Sequence, residues 1–371
     1  MKSNSKINKL LLFFAIIIQI MQNAQQLEED ELRLSTISSL TKINSNLYML
    51  NYQNDYYLDE ILKEGVQSLE EVKLFANKKF GINFDFNSEE QKKNKSFYCS
   101  SFNVFNKNNE NLFARNFDYP HLSPTLVVWT NPKNGYKSIS FVNGQYIGIF
   151  EEEEKNFVKE RLLYSVYDIM DGFNEEGLSL SILRLSQTSG VHQKDPTKKN
   201  ITSSIMIKGV LDYCKNVFEA IQFFNKYNLQ DIDEESSLHY MITDAQGDSI
   251  IIEYLDNKMF IIKPYGIEKI KYLYVTNFFL SKPIKEGNNI GLNRFNILKE
   301  KIKVNTIMEN NDAMNLLNEV KQNSTLWSNI YNTKKLTVIT ALRRNYDVLF
   351  EFNIRKPNKY FKIINFSDSK F

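Results

Sequence analysis

Apolar and polar positions follow different periods in the two parts of the chain. Over residues 25–80 apolar residues recur at spacings of three and four, which predicts largely polar helices. Helical periodicity returns over residues 201–224, 295–300 and 313–320. Short runs rich in aromatic and β-branched residues predict strands over residues 97–105, 112–119, 125–130, 138–142, 178–185, 240–243, 249–254, 259–262, 336–342 and 348–353. Strand clusters flanked by helices predict one α+β domain with layered sheets.

The N-terminus has the layout of a secretory signal peptide. Lys2, Lys6 and Lys9 precede an apolar run at residues 10–18, and Ala24 offers a cleavage site, so residues 1–24 are predicted to be removed. An uncleaved N-terminal anchor is the alternative. No later run reaches the roughly 18 apolar residues of a membrane span, so no stable span is expected after cleavage. Four Asn-x-Ser/Thr sequons fit a glycosylated protein of the secretory pathway: Asn94, Asn200, Asn323 and Asn365.

Composition and charge exclude several other classes of protein. The chain has 371 residues, of which 42% are hydrophobic, so it can bury a core without disulfide staples. A net charge of +2 argues against a dedicated nucleic-acid binder. Cys99 and Cys214 allow one disulfide at most, and His121, His192 and His239 form no metal-ligand pattern with them. We therefore expect no metal, no cofactor and no nucleic-acid partner.

One predicted hairpin carries a candidate nucleophile. Cys99 lies on its first strand and Arg115 and Asp118 on its second, so antiparallel pairing returns both charged groups toward the thiol. A neighbouring cation favours the thiolate by lowering the pKa of the thiol. Asp118 could hold a protonated amine or orient Arg115 through a bidentate pair. The alternative, on spacing alone, is a buried structural cysteine with Arg115 and Asp118 on an exposed strand face.

The other reactive side chains favour ordinary packing. A papain-like pair would need His239 or His121 beside Cys99, but no papain-type sequence surrounds that cysteine. Core or surface roles are therefore expected for both histidines. Cys214, on a predicted amphipathic helix, and Trp327 are expected to pack in the core.

The run CSSFNVFNKNNENLFARNFDY at residues 99–119 resembles the opening of the mature chain in choloylglycine-hydrolase-type linear amide hydrolases. That family includes bile salt hydrolases, penicillin V acylases, acid ceramidase, N-acylethanolamine acid amidase and isopenicillin-type acyltransferases. Its signature is a cysteine followed by an arginine sixteen residues later and an aspartate three residues after that. Cys99, Arg115 and Asp118 reproduce this spacing, within the R-N-x-D motif at residues 115–118.

Further matches follow in the family's order, up to about residue 352. The run DGFNEEGL at residues 171–178 resembles a turn before an inner strand, and residues 239–248 with Glu253 resemble a strand–turn–strand that ends in an acidic residue. Asn277 lies in a T-N motif whose asparagine belongs to the oxyanion hole. Arg294 lies where acyltransferase-like and ceramidase-like members carry a site arginine. The run TLWSNIYN at residues 325–332 resembles the family's C-terminal W-S-x-x-Y-N strand.

The resemblance implies the fold and chain organisation of N-terminal-nucleophile hydrolases. That fold is a four-layer αββα sandwich, in which two antiparallel sheets lie between helix layers. Residues 25–98 would form a helical pro-segment that becomes a small subunit on cleavage, and residues 99–371 the amidase domain. Autocleavage of the Tyr98–Cys99 bond would free the α-amine of Cys99, which then acts as the base for its own thiol.

The resemblance also implies where the oxyanion is held. Asn277 would supply one donor, and the backbone near Leu183 or Arg184 would supply the second. Bile salt hydrolases carry an asparagine in that stretch, where this chain has Arg184. Arg184 could instead meet an anionic substrate.

The implied function is a cysteine amidase, secreted or in a lysosome-like compartment. It would hydrolyse small N-acyl amides with a lipid-like acyl part through a Cys99 thioester. The chain's 27 Phe and 20 Tyr could line an apolar acyl pocket. Two alternatives remain open: an acyltransferase that uses the same thioester, and a non-catalytic secreted protein that keeps the fold.

Overall fold

The computed structural model describes most of the chain. It covers residues 2–82, 98–149, 158–186, 188–231, 236–267, 270–282 and 290–364. The sequons at Asn94 and Asn365, and the first residue of the predicted strand at 97–105, lie outside the described residues. Within them, we find no helix with the length and apolarity needed to cross a bilayer.

Nineteen described strands form two large sheets and one small one. In chain order they are β1 Thr41–Asn44, β2 Leu47–Tyr52, β3 Tyr98–Phe105, β4 Asn111–Asp118, β5 Thr125–Thr130, β6 Ser138–Asn143, β7 Ile169–Asn174, β8 Ser179–Ser186, β9 Asn200–Thr202, β10 Asn228–Gln230, β11 Ser236–Thr243, β12 Ser249–Leu255, β13 Lys258–Ile262, β14 Tyr265–Ile267, β15 Ile270–Val275, β16 Thr325–Asn332, β17 Thr337–Leu342, β18 Asn345–Asn353 and β19 Tyr360–Ile364. The first sheet has the order β1-β2-β5-β6-β7-β8-β11-β12-β13, and the second has β14-β15-β3-β4-β16-β17-β18-β19. Strands β9 and β10 pair separately.

Helices cover the outer faces of the two large sheets. They are α1 Lys2–Ser38, α2 Leu58–Glu64, α3 Leu69–Phe80, α4 Ser203–Tyr213, α5 Val217–Lys226, α6 Leu292–Val304 and α7 Asn310–Glu319. Helix α4 packs on β7 and β8, whereas α6 and α7 pack on β3, β4, β15 and β16. The two sheets meet where β3 faces β8 and β12 faces β15. The layer order is therefore helix, sheet, sheet, helix, with the candidate hairpin β3–β4 in the middle of the second sheet.

The prediction that residues 25–80 are helical is wrong in part. Strands β1 and β2 interrupt the helices, and β2 extends the first sheet by pairing in parallel with β5. Leu47, Tyr48, Met49 and Leu50 are all buried, so this strand lacks the alternation of a half-exposed one. Helices α2 and α3 fit the prediction, and α3 begins at an N-cap whose serine side chain accepts the backbone N–H of Glu71. Cleavage of this segment from the rest stays a prediction.

The single helix predicted over residues 201–224 is two helices. Helix α4 ends before Cys214, and the Asn216 side chain caps α5 by accepting the backbone N–H of Glu219 at 2.9 Å. Cys214 is 2% exposed, so it packs as predicted, although at the helix end. Cys99 and Cys214 are both free thiols, so the one disulfide that the sequence allowed does not form.

Candidate active site

The β3–β4 hairpin brings the predicted nucleophile and guanidinium together. Cys99 pairs with Phe117 and Ser101 with Arg115, so these four side chains share one face of the sheet. Arg115 Nη2 lies 3.4 Å from Cys99 Sγ, and both residues are fully buried. The alternative of an exposed arginine beside a structural cysteine is therefore wrong.

Arg115 is held from three sides. Its Nη1 donates to the carbonyl oxygens of Met170 at 3.1 Å and Ile182 at 2.6 Å. Its Nε lies 2.9 Å from Asp171 Oδ2, in a pair whose two side chains are both 0% exposed. A guanidinium with backbone and carboxylate partners on its other nitrogens has one orientation, and in it Nη2 points at the sulfur.

Asp171 is the residue of this cluster that the sequence analysis did not single out. It lies on β7 in the first sheet and accepts hydrogen bonds from three side chains of β16 in the second. Those donors are Trp327 Nε1 at 3.0 Å, Asn329 Nδ2 at 2.8 Å and the Tyr331 hydroxyl. They alternate along β16 and so face the same way. The sequence does show Asp171 as an acidic residue inside an apolar run. An acidic side chain that is buried in this way requires hydrogen-bond or ion-pair partners.

Asp118 has a different partner from the one predicted. It pairs with Tyr98 in the hairpin, so it lies on the face opposite to Arg115 and does not form the predicted bidentate pair with it. Its Oδ1 accepts the Thr325 hydroxyl at 2.5 Å, and its Oδ2 accepts Gln322 Nε2 at 2.6 Å. Arg294 Nη1 lies 3.5 Å from Oδ2. Asp118 is therefore the ion-pair partner of Arg294, and Asp171 is the ion-pair partner of Arg115.

Asn277 and Arg294 contact the main chain of Cys99. Strand β15 pairs Val275 with Ser101, so two residues later the chain brings Asn277 beside Cys99. Asn277 Oδ1 accepts the Cys99 N–H at 2.9 Å and Arg294 Nη2 at 2.9 Å. Arg294 Nη1 donates to the Cys99 carbonyl at 2.7 Å. The structure therefore brings together all five residues that the sequence analysis assigned to the site.

Arg184 reaches this cluster through its backbone. Its carbonyl oxygen accepts Asn277 Nδ2 at 2.8 Å. Ser181 contacts Ser101 through its hydroxyl, so the odd-numbered residues of this part of β8 face the hairpin. The Arg184 side chain lies on the other face, which argues against the predicted contact with an anionic substrate at Cys99.

The intact chain holds Cys99 as a neutral thiol at neutral pH. Burial raises the pKa of the thiol to about 11, although Arg115 and Arg294 both lower it. Arg115 thus lowers the pKa of the thiol as expected, but in the intact chain the effect of burial is larger. The nitrogen of Cys99 is an amide there and accepts from no donor, so it cannot act as the base for the thiol before the Tyr98–Cys99 bond is cleaved.

The histidines occupy other places. His239 is fully buried, with its ring nitrogens near Glu253 and the Thr276 carbonyl. The exposed His121 packs its ring edge against Tyr119. Trp327 is fully buried, as predicted. Among the residues that the structure describes, no group of three His, Cys, Asp or Glu side chains could hold a metal ion.

Known proteins resemble this chain in sequence and in fold. Residues 99–277 match the linear amide C–N hydrolases of the choloylglycine hydrolase family. A penicillin V acylase of Pectobacterium atrosepticum is 30% identical over 99 residues, which make up 24% of this chain and 26% of that protein. The match thus spans about a quarter of that relative's length.

Two solved structures cover more of the chain. A conjugated bile acid hydrolase variant of Clostridium perfringens has a TM-score of 0.50 at 17% identity, covering 71% of this chain and 96% of its own. A penicillin V acylase of Agrobacterium tumefaciens has a TM-score of 0.48 at 18% identity, covering 72% and 86%. The similarity to the bile acid hydrolase, together with the helix–sheet–sheet–helix layers described above, confirms the predicted αββα fold of N-terminal-nucleophile hydrolases.

Proposed function

We propose that this chain, whose residues 99–277 match the linear amide C–N hydrolases of the choloylglycine hydrolase family, is a cysteine amidase acting on small N-acyl amides. The observation that carries the proposal is the convergence of three polar side chains on one residue. Arg115 contacts the sulfur of Cys99, Asn277 its nitrogen and Arg294 its carbonyl oxygen. Such a cluster fixes a nucleophile together with the groups that stabilise its charge.

The proposed reaction begins with cleavage of the Tyr98–Cys99 bond. Cys99 Sγ would bond to the Tyr98 carbonyl carbon while the bond from that carbon to the Cys99 nitrogen breaks and the thiol proton passes to the nitrogen. Water would then hydrolyse the thioester, which leaves a carboxylate on Tyr98, restores the thiol and gives Cys99 a free α-amine. Its nitrogen already lies 2.9 Å from Asn277 Oδ1. During turnover this amine can act as the base, because it can take the proton of the Cys99 thiol. Cys99 is 0% exposed in the intact chain, which also fits a site that functions only after cleavage.

Turnover would then follow in two steps. Sγ bonds to the carbonyl carbon of the substrate amide, the C–N bond breaks, and the amine leaves with the proton. Water attacks the thioester, releases the carboxylic acid and restores the thiol. An amide nitrogen carries two hydrogens, so Asn277 Nδ2 can donate one to the oxyanion while the other holds Arg184. If an amine attacked the thioester in place of water, the chain would be an acyltransferase.

Aromatic side chains beside the nucleophile support an apolar acyl group. Phe117, which pairs with Cys99, stacks on Trp327 with ring centroids 4.1 Å apart and on Tyr119 at 6.2 Å. Tyr146 meets Tyr119 edge-on at 5.6 Å. These rings make the surroundings of Cys99 apolar, although Phe117 and Trp327 are fully buried in the intact chain. We therefore propose a lipid-like acyl part.

The test is a panel of N-acyl ethanolamines, ceramides, N-acyl amino acids and glycine- or taurine-conjugated sterols, assayed for free amine. Release from none of them would contradict the proposal.

Replacing Asn277 with alanine is expected to lower kcat by about a hundredfold or more, because one oxyanion donor is lost. The measurement is amine release by the purified, processed protein. Asn225→Ala is the matched control, since Asn225 is exposed on α5 and donates to the Ile221 carbonyl of the same helix. An unchanged rate in Asn277→Ala would remove this residue from the oxyanion hole.

We also propose that the chain passes through the secretory pathway, and its sequons give a test. Asn323 is exposed on the turn before β16, whereas Asn200 is half-buried in β9 and its Oδ1 accepts Asn228 Nδ2 at 3.0 Å. A glycan needs a side chain in solvent. Peptide mass spectrometry of protein from a secreting eukaryotic host should find a glycan on Asn323 and none on Asn200. The reverse pattern would contradict this assignment.

A further inference from the structure

Two buried residues, His239 and Glu253, contact the segment of chain that contains Asn277. His239 on β11 and Glu253 on β12 are both 0% exposed, and His239 Nε2 lies 2.7 Å from Glu253 Oε2. The other ring nitrogen, Nδ1, lies 3.1 Å from the Thr276 carbonyl oxygen. Glu253 also accepts two backbone N–H groups of the same segment, from Leu280 at 3.1 Å and Ser281 at 2.6 Å.

Both neighbours of the His239 ring are acceptors. A backbone carbonyl cannot donate, and Glu253 is a carboxylate. Burial raises its pKa, but the hydrogen bonds from His239, Ser281 and Leu280 outweigh that effect and lower the pKa to about 2. The His239 ring therefore lies between two oxygen atoms, the Glu253 carboxylate at Nε2 and the Thr276 carbonyl at Nδ1.

These contacts hold the segment on both sides of Asn277. Thr276 is fixed at its carbonyl, and Leu280 and Ser281 are fixed at their N–H groups. We infer that His239 and Glu253 are positioning residues, which set the direction of the Asn277 amide through the segment at residues 276–281. This inference rests on the proposed function, because it assigns the pair a role in the oxyanion hole. It gives His239 no proton-transfer step, since both ring nitrogens are engaged.

Two substitutions separate the two contacts of the ring. In His239→Asn the amide nitrogen can take the place of Nδ1 and keep the Thr276 contact, while in His239→Gln it can take the place of Nε2 and keep the Glu253 contact. We expect His239→Gln to lower kcat by about tenfold or more, because small displacements of a catalytic group are costly. KM should stay within about twofold, since substrate binding is not altered. His239→Asn should retain most of the activity.

A double-mutant cycle tells positioning from general packing. If His239 acts through Asn277, then His239→Gln should cause no further loss of kcat in an Asn277→Ala background. The same fold loss in both backgrounds would contradict the inference, and so would a loss in His239→Asn as large as that in His239→Gln.

Hydrogen exchange gives a readout that does not depend on turnover. In a Cys99→Ala background, His239→Gln should speed exchange at residues 277–279, next to the released Thr276 carbonyl, whereas His239→Asn should speed it at residues 280–281, where Glu253 holds the N–H groups. If the unmodified protein released no amine from any substrate of the panel while this exchange pattern held, the proposed function would fail and the positioning role would stand. Unchanged exchange in both variants would overturn the positioning role, whatever the activity.

Discussion

Cys99→Ala is expected to abolish both cleavage of the chain and release of amine from substrate. The thiol is the only group at this position that can form the thioester in either reaction, so the loss of turnover should be on the order of 10⁶-fold. Gel analysis of the purified protein reports cleavage, and an amine assay reports turnover.

The chain provides a matched control for this substitution. Cys214 is also a buried free thiol, but it lies at the end of α4. Cys214→Ala should be processed and should turn over substrate like the unmodified protein. If Cys99→Ala kept its activity, or if only Cys214→Ala lost it, Cys99 would not be the nucleophile.

Asp171→Ala is expected to lower the free energy of unfolding by about 3–5 kcal/mol. It leaves the guanidinium of Arg115 buried without its carboxylate, which is the costly way to break a buried ion pair. It also removes the acceptor of Trp327, Asn329 and Tyr331. Urea unfolding measures the loss, with Asp347→Ala at an exposed position of β18 as the control.

A milder substitution tests the same residue in the reaction. Asp171→Asn keeps an oxygen acceptor toward β16 but loses the charge that orients Arg115. The variant should fold, and its turnover should fall by about a hundredfold, because the guanidinium is no longer fixed at the sulfur. If both Asp171 variants unfolded with the same free energy as the control, the contacts of Asp171 with Arg115 and β16 would not hold the two sheets together.

The part of the site that follows from strand pairing could be predicted from the sequence. Alternation over residues 97–119 gave the hairpin, and the register of a hairpin decides that Cys99 and Arg115 share a face. Asn277 and Arg294 came only from the resemblance, because their approach depends on how β15 and α6 join β3. The geometry now explains them: β15 pairs with β3, and Arg294 lies in the first turn of α6.

Other features depend on contacts between layers, which no local pattern contains. The partners of Asp171 lie on β16, about 160 residues further along the chain and in the other sheet. For the same reason the sequence suggests Arg115 as the partner of Asp118, whereas the structure pairs Asp118 with Arg294. The sequence predicts a helix at β2 because burial on both faces of the strand removes the period of two. The sequence shows the arginine that lowers the pKa of Cys99 but not the burial that outweighs it.

The most direct measurement is the intact mass of the purified, active protein, together with the N-terminal sequence of its largest fragment. We expect a fragment whose first residue is Cys99, since only there does the α-amine form beside its own thiol. Full amide hydrolysis by a protein in which the Tyr98–Cys99 bond is still intact would contradict the account.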